Sequence, residues 1–151
     1  DSFSSDISIQ ETNSIINVVD FTPIKIFDFD QVFVSMDGFE EAHNHNSMAI
    51  LGDSLNVLRQ MKTGSVNLIF ADAPYNIGKN FGNNSDHWDT VSDYVEWCKE
   101  WIDECLRVLK DDGTMYIMTA TQHMPYLDIY VSEKYNVLCR IAWTYDSSGD
   151  K

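Results

Sequence analysis

From Ser47 onward the apolar positions alternate between continuous runs and helical spacing. Met48-Ala49-Ile50-Leu51 is a short apolar run, and Gly52-Asp53-Ser54 a turn with a helix N-cap candidate. Residues 55–61 then space their apolar side chains for one or two helical turns. The run Val66-Asn67-Leu68-Ile69-Phe70-Ala71-Asp72, with two β-branched members, predicts a buried strand that delivers a carboxylate to the edge of a sheet. Across residues 90–110, Val91, Tyr94, Val95, Cys98, Trp101, Ile102, Cys105, Leu106 and Leu109 recur at helical spacing. Thr90 and Asp93 resemble a capping box there, and Asp111-Asp112-Gly113 closes the pattern. Residues 114–119 predict a strand, residues 122–134 a helix with Pro125 in its first turn, and residues 136–145 a long closing strand. Strand, helix, strand, helix, strand implies a doubly wound, mostly parallel α/β sheet with right-handed crossovers.

Residues 1–47 carry a different pattern. Residues 7–9, 14–19 and 24–29 read as short strands separated by polar residues, an accessory sheet or the edge of a homodimer. The expected division is an acidic β-rich extension over 1–47 and an α/β unit over 48–151. Asp28, Asp30 and Asp37 fit no calcium loop and read as a solvated loop. His43-Asn44-His45 offers two imidazoles without a third ligand, so an exposed linker is the expectation.

The 151 residues, 44% of them hydrophobic, suffice for one packed domain. No run reaches the roughly 20 apolar residues of a membrane span, and no basic-then-apolar signal opens the chain. The expectation is a cytoplasmic protein with no membrane partner. Cys98, Cys105 and Cys139 have no metal-ligand spacing and, being three, no disulfide framework. Cys98 and Cys105 share a helical face and read as buried thiols.

The net charge of −14 argues against nucleic-acid binding, which draws affinity from basic surfaces that neutralise phosphates. Its distribution softens the argument. Residues 1–47 hold nine acids and one base, whereas 48–151 hold fifteen acids and nine bases.

The chemistry concentrates after the strand that ends in Asp72. Pro74 disfavours helix just before it and sets its own φ, so Asp72, the Ala73 carbonyl and the Tyr75 ring are held in a stiff local turn. Asp72-Ala73-Pro74-Tyr75 resembles the Asp-Pro-Pro-Tyr tetrapeptide of the amino-methyltransferases of DNA. The resemblance runs from about Gly52 to Gly149, through Gly52-Asp53-Ser54-Leu55, the long helix, Gly113-Thr114-Met115-Tyr116-Ile117-Met118 and Trp143-Thr144-Tyr145-Asp146-Ser147-Ser148-Gly149. It looks most like the adenine-specific branch in which catalytic motifs precede cofactor motifs. Alanine at position 73, where the family has proline, frees φ and adds an N–H but keeps the carbonyl.

The resemblance implies an enzyme that uses S-adenosyl-L-methionine to methylate the exocyclic amine of a flipped adenine in double-stranded DNA, as in restriction-modification systems. Asp72, Ala73, Pro74 and Tyr75 would be catalytic, Asp53 and Asp72 would serve the cofactor, and Tyr75, Lys79, Trp143 and Tyr145 would meet the nucleic acid. Helix capping is the competing role for Asp53, and closing-strand core the competing role for Trp143 and Tyr145. An acid where related cytosine enzymes more often have serine favours adenine. The family's phenylalanine- and glycine-containing cofactor loop and its target-recognition segment are not found; Gly78, Gly82 and Gly113 are too scattered to form that loop. The expectation is therefore the catalytic half of a larger enzyme. The other readings are a silent methyltransferase-like partner subunit and a methyltransferase acting on RNA or a protein amide.

Overall fold

A computed structural model describes residues 28–44, 47–80, 82 and 86–144. The strands expected over 7–9, 14–19 and most of 24–29, with any dimer edge they form, lie outside the described residues, as do His45, Phe81 and Tyr145. The architecture is mixed α/β, in the order α1 (Phe29–Val32), β1 (Glu40–His43), β2 (Met48–Leu51), α2 (Ser54–Gln60), β3 (Val66–Asp72), α3 (Val91–Val108), β4 (Leu109–Met118) and α4 (Met124–Ser132). Among the described residues, no helix is long and apolar enough to cross a membrane.

The centre is the β3–α3–β4 unit, in which β3 and β4 run parallel and pair from Leu68↔Thr114 to Asp72↔Met118. α3 forms where the period predicted it. The Thr90 hydroxyl accepts from the Asp93 N–H at 3.1 Å and donates to the Asp93 carboxylate at 2.8 Å, so the short acid returns to the cap's hydroxyl. Tyr94, Val95, Cys98, Trp101, Ile102, Cys105 and Val108 form its buried stripe. Leu127 of α4 joins them, and Ile69, Ala71, Ala73, Met115 and Ile117 cover them from the sheet side. Each large apolar side chain in that layer contributes about 1.5–3 kcal/mol. Cys98 and Cys105 are buried, and Cys139 is exposed.

β4 begins earlier than expected. Leu109 already pairs with Val66, and the register then jumps to Leu68↔Thr114. The turn expected at Asp111-Asp112-Gly113 is absorbed into the strand as an irregularity, which lets α3 pass into β4 without a separate loop. Gly113 permits this, because a Cβ there would lie 2.7 Å from the Leu109 side chain and 2.9 Å from the Lys110 carbonyl oxygen.

Two expectations about the sheet do not hold among the described residues. β2 pairs antiparallel with β1, from Glu40↔Leu51 to His43↔Met48, and not with the parallel pair. His43 is therefore a strand residue whose ring packs edge-on against Phe29 at 5.2 Å, not part of a linker. Residues 136–144 form no strand, and Leu138, Ile141 and Trp143 are exposed. A strand exists only through its ladder, and an apolar run does not supply a neighbour. Leu68, Phe70 and Tyr116 are likewise exposed on the sheet.

In the N-terminal segment Asp28 serves local structure, and Asp30 lies within α1. Asp28 caps α1, accepting from the Asp30 N–H and the Gln31 side chain. Arg107 ties α2 to α3, donating to the Leu58 carbonyl at 2.7 Å and the Met61 carbonyl at 2.9 Å while pairing with Glu104. A cation on the last carbonyls of a helix satisfies orphan acceptors and complements the helix dipole.

Candidate active site

The acid that ends β3 stands at the carboxyl edge of the parallel pair, where open α/β sheets take their ligands. Asp72 is exposed, Ala73 is half-buried against the core and Tyr75 is half-buried beyond Pro74. The Tyr75 hydroxyl donates to Asp72 Oδ1 at 2.5 Å, closing the four residues into a ring. That bond, then burial and the carboxylate's charge, raise the Tyr75 phenol above its ordinary 10.0. Tyr75 is thus a neutral donor through the physiological range.

Tyr94 holds the turn from below. Its side chain is buried in the core, as the helical stripe predicted, yet its hydroxyl donates to the Pro74 carbonyl at 2.8 Å and meets Thr119 Oγ1 at 3.2 Å just past β4. Burial, before any other cause, pushes this phenol well above its usual range. A buried, permanently protonated hydroxyl is a stable tether. Helical periodicity identified Tyr94 as core but carried no sign of its contact twenty residues back.

Beyond Tyr75 the chain enters a closed loop. Asn76 is in the left-handed region at φ 53°, uncommon for a residue with a side chain. Asp86 is buried and accepts from the Asn76 N–H at 2.6 Å and the Ile77 N–H at 3.2 Å. The Asn76 side-chain oxygen accepts from the Trp88 N–H at 3.0 Å. Trp88 packs on Tyr94 and Trp97 at centroid separations of 5.1 and 4.8 Å, so the far end of the loop is anchored in the core. An open cleft of about 500 Å³ lies along this loop, with Asn76, Ile77, Trp88, Thr90, Gln122 and His123 among its walls. His123 is buried, its ring 4.6 Å from that of Tyr94, and its Nδ1 lacks a hydrogen-bond partner among the described residues.

Of the remaining predicted residues, Asp53, Lys79 and Trp143 are described. Asp53 caps α2, its carboxylate accepting from the Asn56 N–H at 2.9 Å, and it follows a strand of the other sheet. Lys79 is exposed in the closed loop, its carbonyl accepting from the Asp86 N–H at 3.2 Å. Trp143 is 77% exposed in the irregular segment and makes no ring contact with Tyr75 among the described residues. Tyr145 lies outside the described residues.

The arrangement offers an exposed carboxylate, a rigid turn with backbone carbonyls and an aromatic ring, all at one strand end. The acceptors in such a set suit a planar N–H group, and the ring offers a face for stacking.

A family model for a DNA methylase matches residues 66–150, more than half of the chain. The chain is 45% identical over 106 residues to the DNA adenine methyltransferase YhdJ of Escherichia coli (strain K12), an alignment covering 70% of this chain and 36% of the relative. It is 36% identical over 85 residues to the type II methyltransferase M.BamHI of Bacillus amyloliquefaciens, covering 56% of this chain and 20% of that one. Against the type II methyltransferase M.HpaI of Haemophilus parainfluenzae it is 36% identical over 78 residues, 52% of this chain and 24% of the relative. The chain thus spans about a third or less of the length of these relatives.

Proposed function

The chain belongs to the DNA amino-methyltransferase family, and from that membership we propose that the protein carrying it methylates the exocyclic amine of adenine in double-stranded DNA, with S-adenosyl-L-methionine as donor. The observation that carries the proposal is the turn after β3, where the exposed Asp72 carboxylate, the Ala73-Pro74 backbone and the Tyr75 ring are locked together by hydrogen bonds from Tyr75 and Tyr94.

The residues present fit the reactive end of this cofactor. A sulfonium cation is complemented by an exposed carboxylate at a sheet's carboxyl edge, and Asp72 is one. S-adenosyl-L-methionine supplies an electrophilic methyl group on that sulfonium. Asp53 is assigned the same ligand as a second use of a carboxylate that already caps α2.

The chain's own groups would meet what an adenine amine lacks. Its lone pair is delocalised into the purine ring, and within a duplex it is out of reach, so the base must be flipped. Asp72 and the Ala73 carbonyl would each accept one amine proton, drawing the nitrogen toward a tetrahedral shape with its lone pair free to attack. Tyr75 would stack on the base, contributing about 1–3 kcal/mol by comparison with single-strand stacking platforms. Holding nucleophile and donor in line is the main source of rate. Asp72 or water then removes the proton. Trp143 and Tyr145 are assigned the opposite face of the base, and Lys79 a backbone phosphate.

On this reading β3 and β4 are neighbouring strands of a larger doubly wound sheet, residues 48–151 its catalytic half and residues 1–47 an acidic extension. The exposed Leu68, Phe70 and Tyr116 support a further covering layer. With a net charge of −14, the chain needs a basic DNA-binding surface from elsewhere in the complete protein.

The test is transfer of a labelled methyl group from S-adenosyl-L-methionine to unmethylated duplex DNA by the full-length protein, with the product digested to nucleosides. Label in adenine supports the proposal. No label in any nucleoside, with the cofactor shown to bind, sinks it.

A further inference from the structure

The catalytic turn is held at three points, and the third comes from a residue with no chemistry of its own in the reaction. Asp86 is 3% exposed, so its carboxylate is taken almost wholly out of water. Burying such a group is costly unless its oxygens are hydrogen-bonded. Both of them are: Oδ1 accepts from the Asn76 N–H at 2.6 Å and Oδ2 from the Ile77 N–H at 3.2 Å. The backbone of Asp86 also pairs with the loop, its carbonyl accepting from the Gly78 N–H at 2.8 Å and its N–H donating to the Lys79 carbonyl at 3.2 Å.

We propose that Asp86 is a positioning residue for the Asp72–Tyr75 turn, setting the orientation of the Tyr75 ring through the two amides that follow it. This rests on the reading of that turn as the methylating site. The physical reason is local. Asn76 occupies the left-handed region, which an L-residue leaves readily unless its neighbours hold it. A charged acceptor bonded to two successive N–H groups holds both peptide planes at once. The first of those planes joins Tyr75 to Asn76, so its orientation is coupled to the backbone that aims the Tyr75 ring and hydroxyl at Asp72. Tyr94 fixes the Pro74 carbonyl on the other side of Tyr75. Tyr75 therefore stands between two anchors, one on α3 and one in the loop. Asp86 touches neither amine nor methyl donor in this role, so its loss should slow turnover while leaving DNA affinity near its original value.

The variant to make is Asp86→Asn in the full-length protein. It keeps size and one acceptor oxygen but turns an N–H toward an N–H, breaking one of the two amide bonds. Steady-state kinetics would be measured beside wild type and Asp72→Ala, with folding checked by thermal melting and by the fluorescence of the Trp88, Trp97 and Trp101 cluster. The expected result is a kcat lower by up to about 10²-fold, with KM for DNA within about threefold, the scale of an ångström-sized misplacement at a reacting centre. Asp86→Glu retains both acceptor oxygens and the charge, and should recover part of the loss. If Asp86→Asn melts below the assay temperature, the comparison passes to Asp86→Glu against wild type, whose added methylene displaces the amides and should lower kcat without raising KM. An Asp86 variant that folds and turns over within twofold of wild type, while Asp72→Ala is inactive, overturns this inference alone. A wild type that methylates no DNA overturns the catalytic reading with it.

Discussion

Two acids in this chain stand at the ends of apolar strands, Asp53 two residues past β2 and Asp72 as the last residue of β3, and they take different partners. Asp53 turns directly into α2 and closes on it, its carboxylate on the Asn56 N–H. Asp72 is followed by Ala73-Pro74, where proline disfavours helix at the residue before it and residues 73–75 form none, so no backbone N–H of a helix start takes its carboxylate. A side-chain hydroxyl, that of Tyr75, takes it instead. The difference teaches that an acid at a strand's end becomes available for chemistry when the next residues deny it a cap.

The strongest way to break that comparison is to remove the available acid. Asp72→Ala in the full-length protein should lower methyl transfer by about 10²-fold or more, in line with loss of a charge-stabilising group at a reacting centre, with little change in melting temperature. A variant that keeps its rate would place Asp72 beside Asp53 as structural. Next in size is Tyr75→Ala, which should lower kcat/KM by about 5- to 150-fold, the equivalent of ~1–3 kcal/mol of stacking. Tyr75→Phe keeps the ring and should lose far less, which separates stacking from the bond to Asp72.

Tyr94→Phe probes the tether under the turn. It leaves the Pro74 carbonyl without its donor, and denaturant unfolding should show a loss of about 1–3 kcal/mol. Asp53→Ala should cost about 0.5–2 kcal/mol, the value of a helix cap, and Asp53→Ser should restore most of it because serine also caps. Cofactor affinity measured on the same pair isolates the second use proposed for Asp53, since serine restores the cap without the charge.

The smallest effect is a titration. The Tyr75 phenol is raised above 10.0 chiefly by its bond to Asp72. A group with a raised folded value contributes stability that is whole below its unfolded value and is lost as pH rises through the folded one. Ultraviolet titration should therefore show Tyr75 ionising later than an ordinary tyrosine, and Asp72→Asn should bring it back toward 10.0. An unchanged titration in Asp72→Asn would remove the closed ring from the description of the turn.

Much of the fold was legible because its signals are short-range. The α3 stripe, the Thr90 cap, β3 and the proline in the first turn of α4 each follow from residues within one or two turns of one another. The early start of β4 was not legible, because the acidic stretch Asp111-Asp112-Gly113 looks like a turn and only pairing with β3 draws it into a strand. Residues 136–144 show the converse, an apolar stretch with no neighbouring strand to bond among the described residues. At the site, the tetrapeptide was readable from its own residues. Asp86 was not: it is one acid in a polar loop, and nothing nearby in sequence announces amides ten residues away.

Residues close together in the chain were enough to specify β3 and α3, to end β3 at Asp72 in a proline turn, and to mark the family to which the chain belongs. These depend on side-chain period, capping and backbone restrictions that act over a few residues. That a core tyrosine tethers the turn and that a loop carboxylate grips the amides beyond it came only from the folded arrangement. Hydrogen bonds of this kind form between groups far apart in the chain, and burial supplies the reason: a polar group taken out of water must find a partner wherever the fold brings one.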